Sequence, residues 1–176
     1  MVILKPQDVL VALHAALRLE NVRFSYSEVG ARLGMSKSEV HASVKRCVQA
    51  GLMMQSHARV DRAPAANRAN LLEFLIHGVR FAFPATEGTV SRGMPTAHAA
   101  PSLAPHFAGS KALPPVWPLP TGQVRGRAFE PLYRSVPIAA ANDPAMYEAL
   151  ALVDSIRSGG AREREIATRL LGQVLQ

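Results

Sequence analysis

Apolar residues recur every three or four positions through most of the first 83 residues, a spacing that predicts helices. The first helix is expected from Pro6 to about Leu19, with Val9, Leu10, Leu13, Ala16 and Leu17 as its stripe. Pro6 suits a first helical position, and Asp8 falls in the first turn, where the helix dipole favours negative charge. Ser25-Tyr26-Ser27-Glu28 reads as a capping box, followed by an apolar face of Val29 and Leu33 and a break at Gly34-Met35. A second box, Ser36-Lys37-Ser38-Glu39, opens a helix over 36–50, with Gly51 free to take the left-handed cap. Val40, Val44, Cys47 and Val48 fall on one side of it. Ser38, Ala42, Lys45 and Gln49 fall on the other, flanked by His41 and Arg46.

Beyond this helix the pattern changes period. Leu52-Met53-Met54-Gln55-Ser56 reads as a strand. A helix capped by Asn67 or Asn70 is expected to stop at Gly78, and Val79-Arg80-Phe81-Ala82-Phe83 alternates like a return strand. Residues 84–141 hold ten of the thirteen prolines, but also Phe107, Trp117, Phe129 and Tyr133. The run Leu113-Pro114-Pro115-Val116-Trp117-Pro118-Leu119-Pro120 favours extended backbone, and an arm packed across its own domain or a second subunit is preferred to a peptide offered to a partner's groove. Asn142-Asp143-Pro144 starts a C-terminal helical hairpin. Its stripes are Met146, Ala149, Leu150, Val153 and Ile156, then Ile166, Leu170, Leu171 and Val174. The expected architecture is therefore mainly α with a small β-wing, in three segments: 1–83, a proline-rich extended arm over 84–141, and the hairpin 142–176.

Charge sharpens the picture. Twenty Lys and Arg against thirteen Asp and Glu give a net +7. Counted by segment, 1–63 and 64–141 are each +4, and 142–176 is −1. A polyanion surface is expected in the first two thirds. No apolar run approaches the ~18–20 residues of a membrane-spanning helix, and MVILKPQDVL lacks the apolar core of a secretory signal. The single cysteine, Cys47, excludes an intrachain disulfide. These features point to a cytoplasmic protein with no membrane partner.

A short helix, a tight glycine turn and a second capped helix make a helix-turn-helix pattern. Residues 25–55, SYSEVGARLGMSKSEVHASVKRCVQAGLMMQ, resemble the winged helix-turn-helix of bacterial transcription regulators, the MarR-like and related groups. The matching positions are Ala31, Leu33, Gly34, Ser36, Ser38, Val40, Val44, Cys47, Gly51 and Leu52. Two departures stand out: one residue separates Ala31 from Leu33, and Cys47 takes a place usually held by leucine. The resemblance implies a regulator that reads double-stranded DNA by placing helix 36–50 in the major groove. Ser36, Lys37, Ser38, His41 and Lys45 would contact bases or their surroundings, and Arg46, Gln49, Arg59 and Arg62 would hold the backbone. Arg68 and Arg80 are further candidates for phosphate contacts. Because dimers read palindromic operators, a homodimer with the C-terminal hairpin contributing is expected. The competing class is an antitoxin-like interaction module, with the winged helix as a scaffold and 84–141 wrapping a protein partner.

Catalytic chemistry is thin. Histidines 14, 41, 57, 77, 98 and 106 form no H-x-x-x-H or H-E-x-x-H motif, no G-x-S-x-G occurs, and the glycines fit no phosphate-cradling spacing. Arg92-Gly93-Met94-Pro95-Thr96-Ala97-His98 and Val124-Arg125-Gly126-Arg127 are basic and glycine-bearing, suited at most to a phosphate-contacting loop. No catalytic activity, metal or cofactor is expected, and Cys47 is read as a small core residue.

Overall fold

The computed structural model describes residues 3–18, 25–54, 64–107 and 112–176. The chain is mainly helical with two small sheets. Three helices come first: α1 (Pro6–Leu17), α2 (Tyr26–Leu33) and α3 (Lys37–Gln49). β1 (Met53–Met54) then pairs antiparallel with β2 (Ala65–Ala66), Met53 facing Ala66 and Met54 facing Ala65. The connection between them lies outside the described residues.

The next element corrects one expectation. Val79–Phe83 is not a return strand: β2 has already returned. Instead α4 (Arg68–Glu73) runs through a π-helical turn, Phe74–Gly78, directly into α5 (Val79–Ala82). Leu71, Leu75 and Val79 are fully buried at a spacing of four, while Phe81 is 74% exposed. Burial along one helical stripe outweighed the alternation of Val79, Phe81 and Phe83. Nor does Gly78 stop the helix. It sits where a Cβ would press on the Phe74 ring. Asn67 is the cap, its Oδ1 accepting from the Asn70 N–H at 3.2 Å.

Residues 84–141 are more than an arm. They hold β3 (Glu87–Pro95), β4 (Pro115–Pro118), β5 (Val124–Phe129) and α6 (Val136–Asn142). β3 pairs antiparallel with both β4 and β5, and β4 pairs parallel with β5, so the three strands close on themselves. Closure needs backbones in contact. A Cβ on Gly93 would collide with the Trp117 carbonyl, and one on Gly126 with the carbonyl of Pro114. Trp117 and Phe129 are buried at 0% and 1% exposure.

The C-terminal hairpin is α7 (Pro144–Ser158) and α8 (Ala161–Val174). Asp143 caps α7, accepting from the N–H groups of Ala145 (2.9 Å) and Met146 (3.4 Å). Far from being an appendage, α7 is buried from Ala149 through Arg157 and packs against α1, α5, α6 and α8. Its apolar stripe is thus occupied within the chain. A single core cluster draws on all three segments, from Leu10 and Val44 through Trp117 to Leu150 and Leu171.

Polar groups inside this core converge on α7. Asp154 accepts from Trp117 Nε1 (2.6 Å), Thr96 Oγ1 (2.9 Å) and Arg157 Nη1 (2.7 Å). Arg157 also donates to the carbonyls of Phe83 (2.9 Å), Pro84 (3.3 Å) and Glu130 (3.4 Å). The pair therefore ties α7 to β4, to Thr96 just past β3, and to the chain before β3 and after β5. Burial pushes the Asp154 carboxyl upward, while Arg157, Thr96 and Trp117 hold its charged form.

Candidate nucleic-acid interface

The turn into α3 and its N-terminal cap follow from the sequence around them. Gly34 ends α2 with φ +64°, a left-handed turn that lets the chain double back. Ser36 Oγ then accepts from the Glu39 N–H (3.2 Å), and Glu39 Oε2 accepts from the Ser36 N–H (2.8 Å). At α2 only half of the corresponding box forms: Ser25 Oγ accepts from the Glu28 N–H at 3.4 Å. Val40, Val44 and Cys47 point into the core and fix the rotation of α3.

That rotation leaves Lys37, Ser38, His41, Lys45 and Gln49 exposed. At 100° per residue, Ser38, His41, Ala42, Lys45 and Gln49 share one face. The side chains of Lys37, Ser38, Lys45 and Gln49 make no hydrogen bond or ion pair with another described residue. His41 packs edge-on against the Tyr26 ring, centroids 5.3 Å apart. A groove of about 440 Å³ runs beside this face, lined by Tyr26, His41, Val44, Lys45, Val48, Gln49 and Pro64.

Arg46 is a correction. It does not project to hold a backbone. Its Nε and Nη2 donate to both carboxylate oxygens of Asp8 (2.8 and 2.6 Å), and Nη2 also reaches Ser43 Oγ. Asp8 is fully buried and accepts from the Lys5 N–H as well (2.8 Å). A buried carboxylate demands a partner, and Arg46 supplies it, clasping α1 to α3. Arg68 is similarly occupied, donating to the carbonyls of Ala16 and Gln176 (both 2.9 Å), and Arg80 lies over the Phe81 ring. Arg59 and Arg62 lie outside the described residues. Cys47 is fully buried, and burial pushes its thiol up to about 12, which keeps it protonated and inert.

Two residues that sequence reasoning missed brace the start of α3. Tyr133 Oη donates to Glu39 Oε1 (2.8 Å), and Arg134 Nη2 donates to the same oxygen (3.2 Å). Behind α2, Asn142 Nδ2 donates to the Arg32 carbonyl (2.9 Å), and Ile138 lies against Gly34. Tyr133, Arg134 and α6 thus brace the two helices and leave the outer face of α3 uncovered by the described residues.

Hydrogen bonds from the Ser36 N–H, then from Tyr133 and Ser36, hold the Glu39 carboxyl down at about 2. A depressed acid stabilises the fold above its ordinary value of 4.5 and loses that contribution as pH falls toward 2. Wild-type stability, measured by urea unfolding between those pH values, should therefore fall more steeply than that of Glu39→Gln. Parallel curves would show that Glu39 adds nothing on acid titration.

Among the described residues no group of three or more His, Cys, Asp or Glu side chains is placed to hold a metal ion, and no helix is long and apolar enough to cross a membrane. Compared with known proteins, the chain matches no protein-family model, no curated protein and no solved structure.

Proposed function

We propose that the protein binds double-stranded DNA through α3, with α1–α3 and the β1–β2 hairpin acting as a winged helix-turn-helix of a transcription regulator. The observation that carries this reading is the outer face of α3: exposed, polar, cationic and without side-chain partners at Lys37, Ser38, Lys45 and Gln49. Small side chains at Ser38 and Ala42 let a helix approach base edges, and lysines beside them meet phosphates. The helix carries one acidic residue, Glu39, and its charge is already met by Tyr133 and Arg134. Without that cover, a carboxylate at the entrance to the groove would repel the duplex. Arg134 adds a largely exposed cation at the same end.

The test uses duplexes recovered by selection from random sequence, with binding followed by fluorescence anisotropy over a range of salt. Lys45→Ala should weaken binding to all of them and lower the salt slope by about one unit. An unchanged affinity and slope would take α3 out of the interface.

A further inference from the structure

The β3–β5 ribbon carries a second cationic surface. Arg92 lies directly opposite Arg125, and Val90 opposite Arg127, in an antiparallel register. Residues opposite each other, and those two apart on one strand, share a face. On this ribbon one face holds Arg92, Arg125 and Arg127, all exposed. The other face turns Gly93 and Gly126 onto β4. Opposed residues place their Cβ atoms about 4.5–5.5 Å apart, and like charges in that position are destabilising. Glu87 reaches Arg127 (3.5 Å). The side chains of Arg92 and Arg125 meet no acid among the described residues. In the isolated chain this arrangement is unfavourable, and a polyanion would compensate it.

The ribbon is also within reach of α3. Arg127 is six residues from Tyr133, whose hydroxyl touches the start of α3. At ~3.3–3.6 Å per residue, fully extended, their Cα atoms are at most about 20–22 Å apart. One turn of a duplex spans about 34–36 Å. Arg134, 75% exposed, lies just past the α3 end of that connection.

We propose that Arg92, Arg125 and Arg127 form a second contact to the phosphate backbone of the duplex that α3 enters. The inference rests on the DNA-binding reading above, and it adds a sequence-independent hold to the base-reading helix. Phosphate contacts position a protein without carrying sequence information, and guanidinium groups suit phosphate geometry.

The full chain, Lys45→Ala, and the triple variants R92Q/R125Q/R127Q and R92K/R125K/R127K are titrated against a DNA duplex of about 30 base pairs, three helical turns. Parallel titrations use single-stranded RNA. The glutamine triple should lose roughly tenfold or more in affinity on every duplex and two to three units of salt slope, about one per phosphate contact. The lysine triple should keep most of the slope, because the charge stays. Should the glutamine triple melt early, single arginine-to-glutamine variants give the same reading at about one unit each. A glutamine triple that binds with wild-type slope, while Lys45→Ala weakens binding, overturns the ribbon contact and leaves the α3 reading standing. Loss on the triple with no effect of Lys45→Ala takes α3 out of the interface and overturns the ribbon contact as stated, because no duplex held by α3 remains for it to share. A full chain that binds no duplex, or only single-stranded RNA, overturns both.

Discussion

Asp154→Ala should remove about 3–5 kcal/mol of stability, the range for breaking a buried ion pair from one side. The reason is what it leaves behind. Arg157 is 4% exposed and would keep three carbonyls and the face of the Phe129 ring around a full positive charge, with no counter-ion. Trp117 Nε1 and Thr96 Oγ1 would lose their acceptor in the same change. Urea unfolding reads this as a lower midpoint at unchanged slope. The double variant D154L/R157M should lose less than D154A, since it leaves no charge stranded. A loss below about 1 kcal/mol for D154A would mean that the cluster does not hold α7 to the sheet.

Asp8→Ala should cost somewhat less, about 2–3 kcal/mol, because Arg46 is 19% exposed and water can take over part of its charge. The change also uncaps α1 at the Lys5 N–H. Arg46→Ala completes the comparison, because the two possible roles of Arg46 predict opposite outcomes. As a clasp between α1 and α3, its loss destabilises the fold and leaves the salt slope of DNA binding where it was. As a phosphate contact, its loss lowers the slope by about one unit and spares stability. The geometry predicts the first outcome. The second would overturn the assignment of Arg46 to the core.

What could be read in the sequence was local. Gly34 and the Ser36–Glu39 box lie within five residues at one end of α3, and Gly51 two residues past the other, so the helix lies at Lys37–Gln49. Asp143-Pro144 located α7 in the same way. What was missed depends on distance along the chain. Arg46 looked like a surface cation because its partner is 38 positions away, and Tyr133 is 94 positions from Glu39. Asp154 and Arg157 have the spacing of a solvated i,i+3 pair, and only the packing of α7 at the centre makes them a buried one. Val79, Phe81 and Phe83 fit a strand as well as a helix over five residues. Leu71 and Leu75 decide the matter, but they sit in the preceding segment. The closed three-strand unit left no alternating signature, because its inward positions include Gly93 and Gly126 and its strands carry proline.

The place of α7 bears on how the chain is made. α1, buried from Val9 to Ala16, packs against a helix that the ribosome delivers more than a hundred residues later. At ~5–20 residues per second, that interval lasts roughly seven to twenty-eight seconds. Throughout it the newborn first helix shows an oily flank to its surroundings, open to chaperones or to premature self-association until translation reaches Ile156.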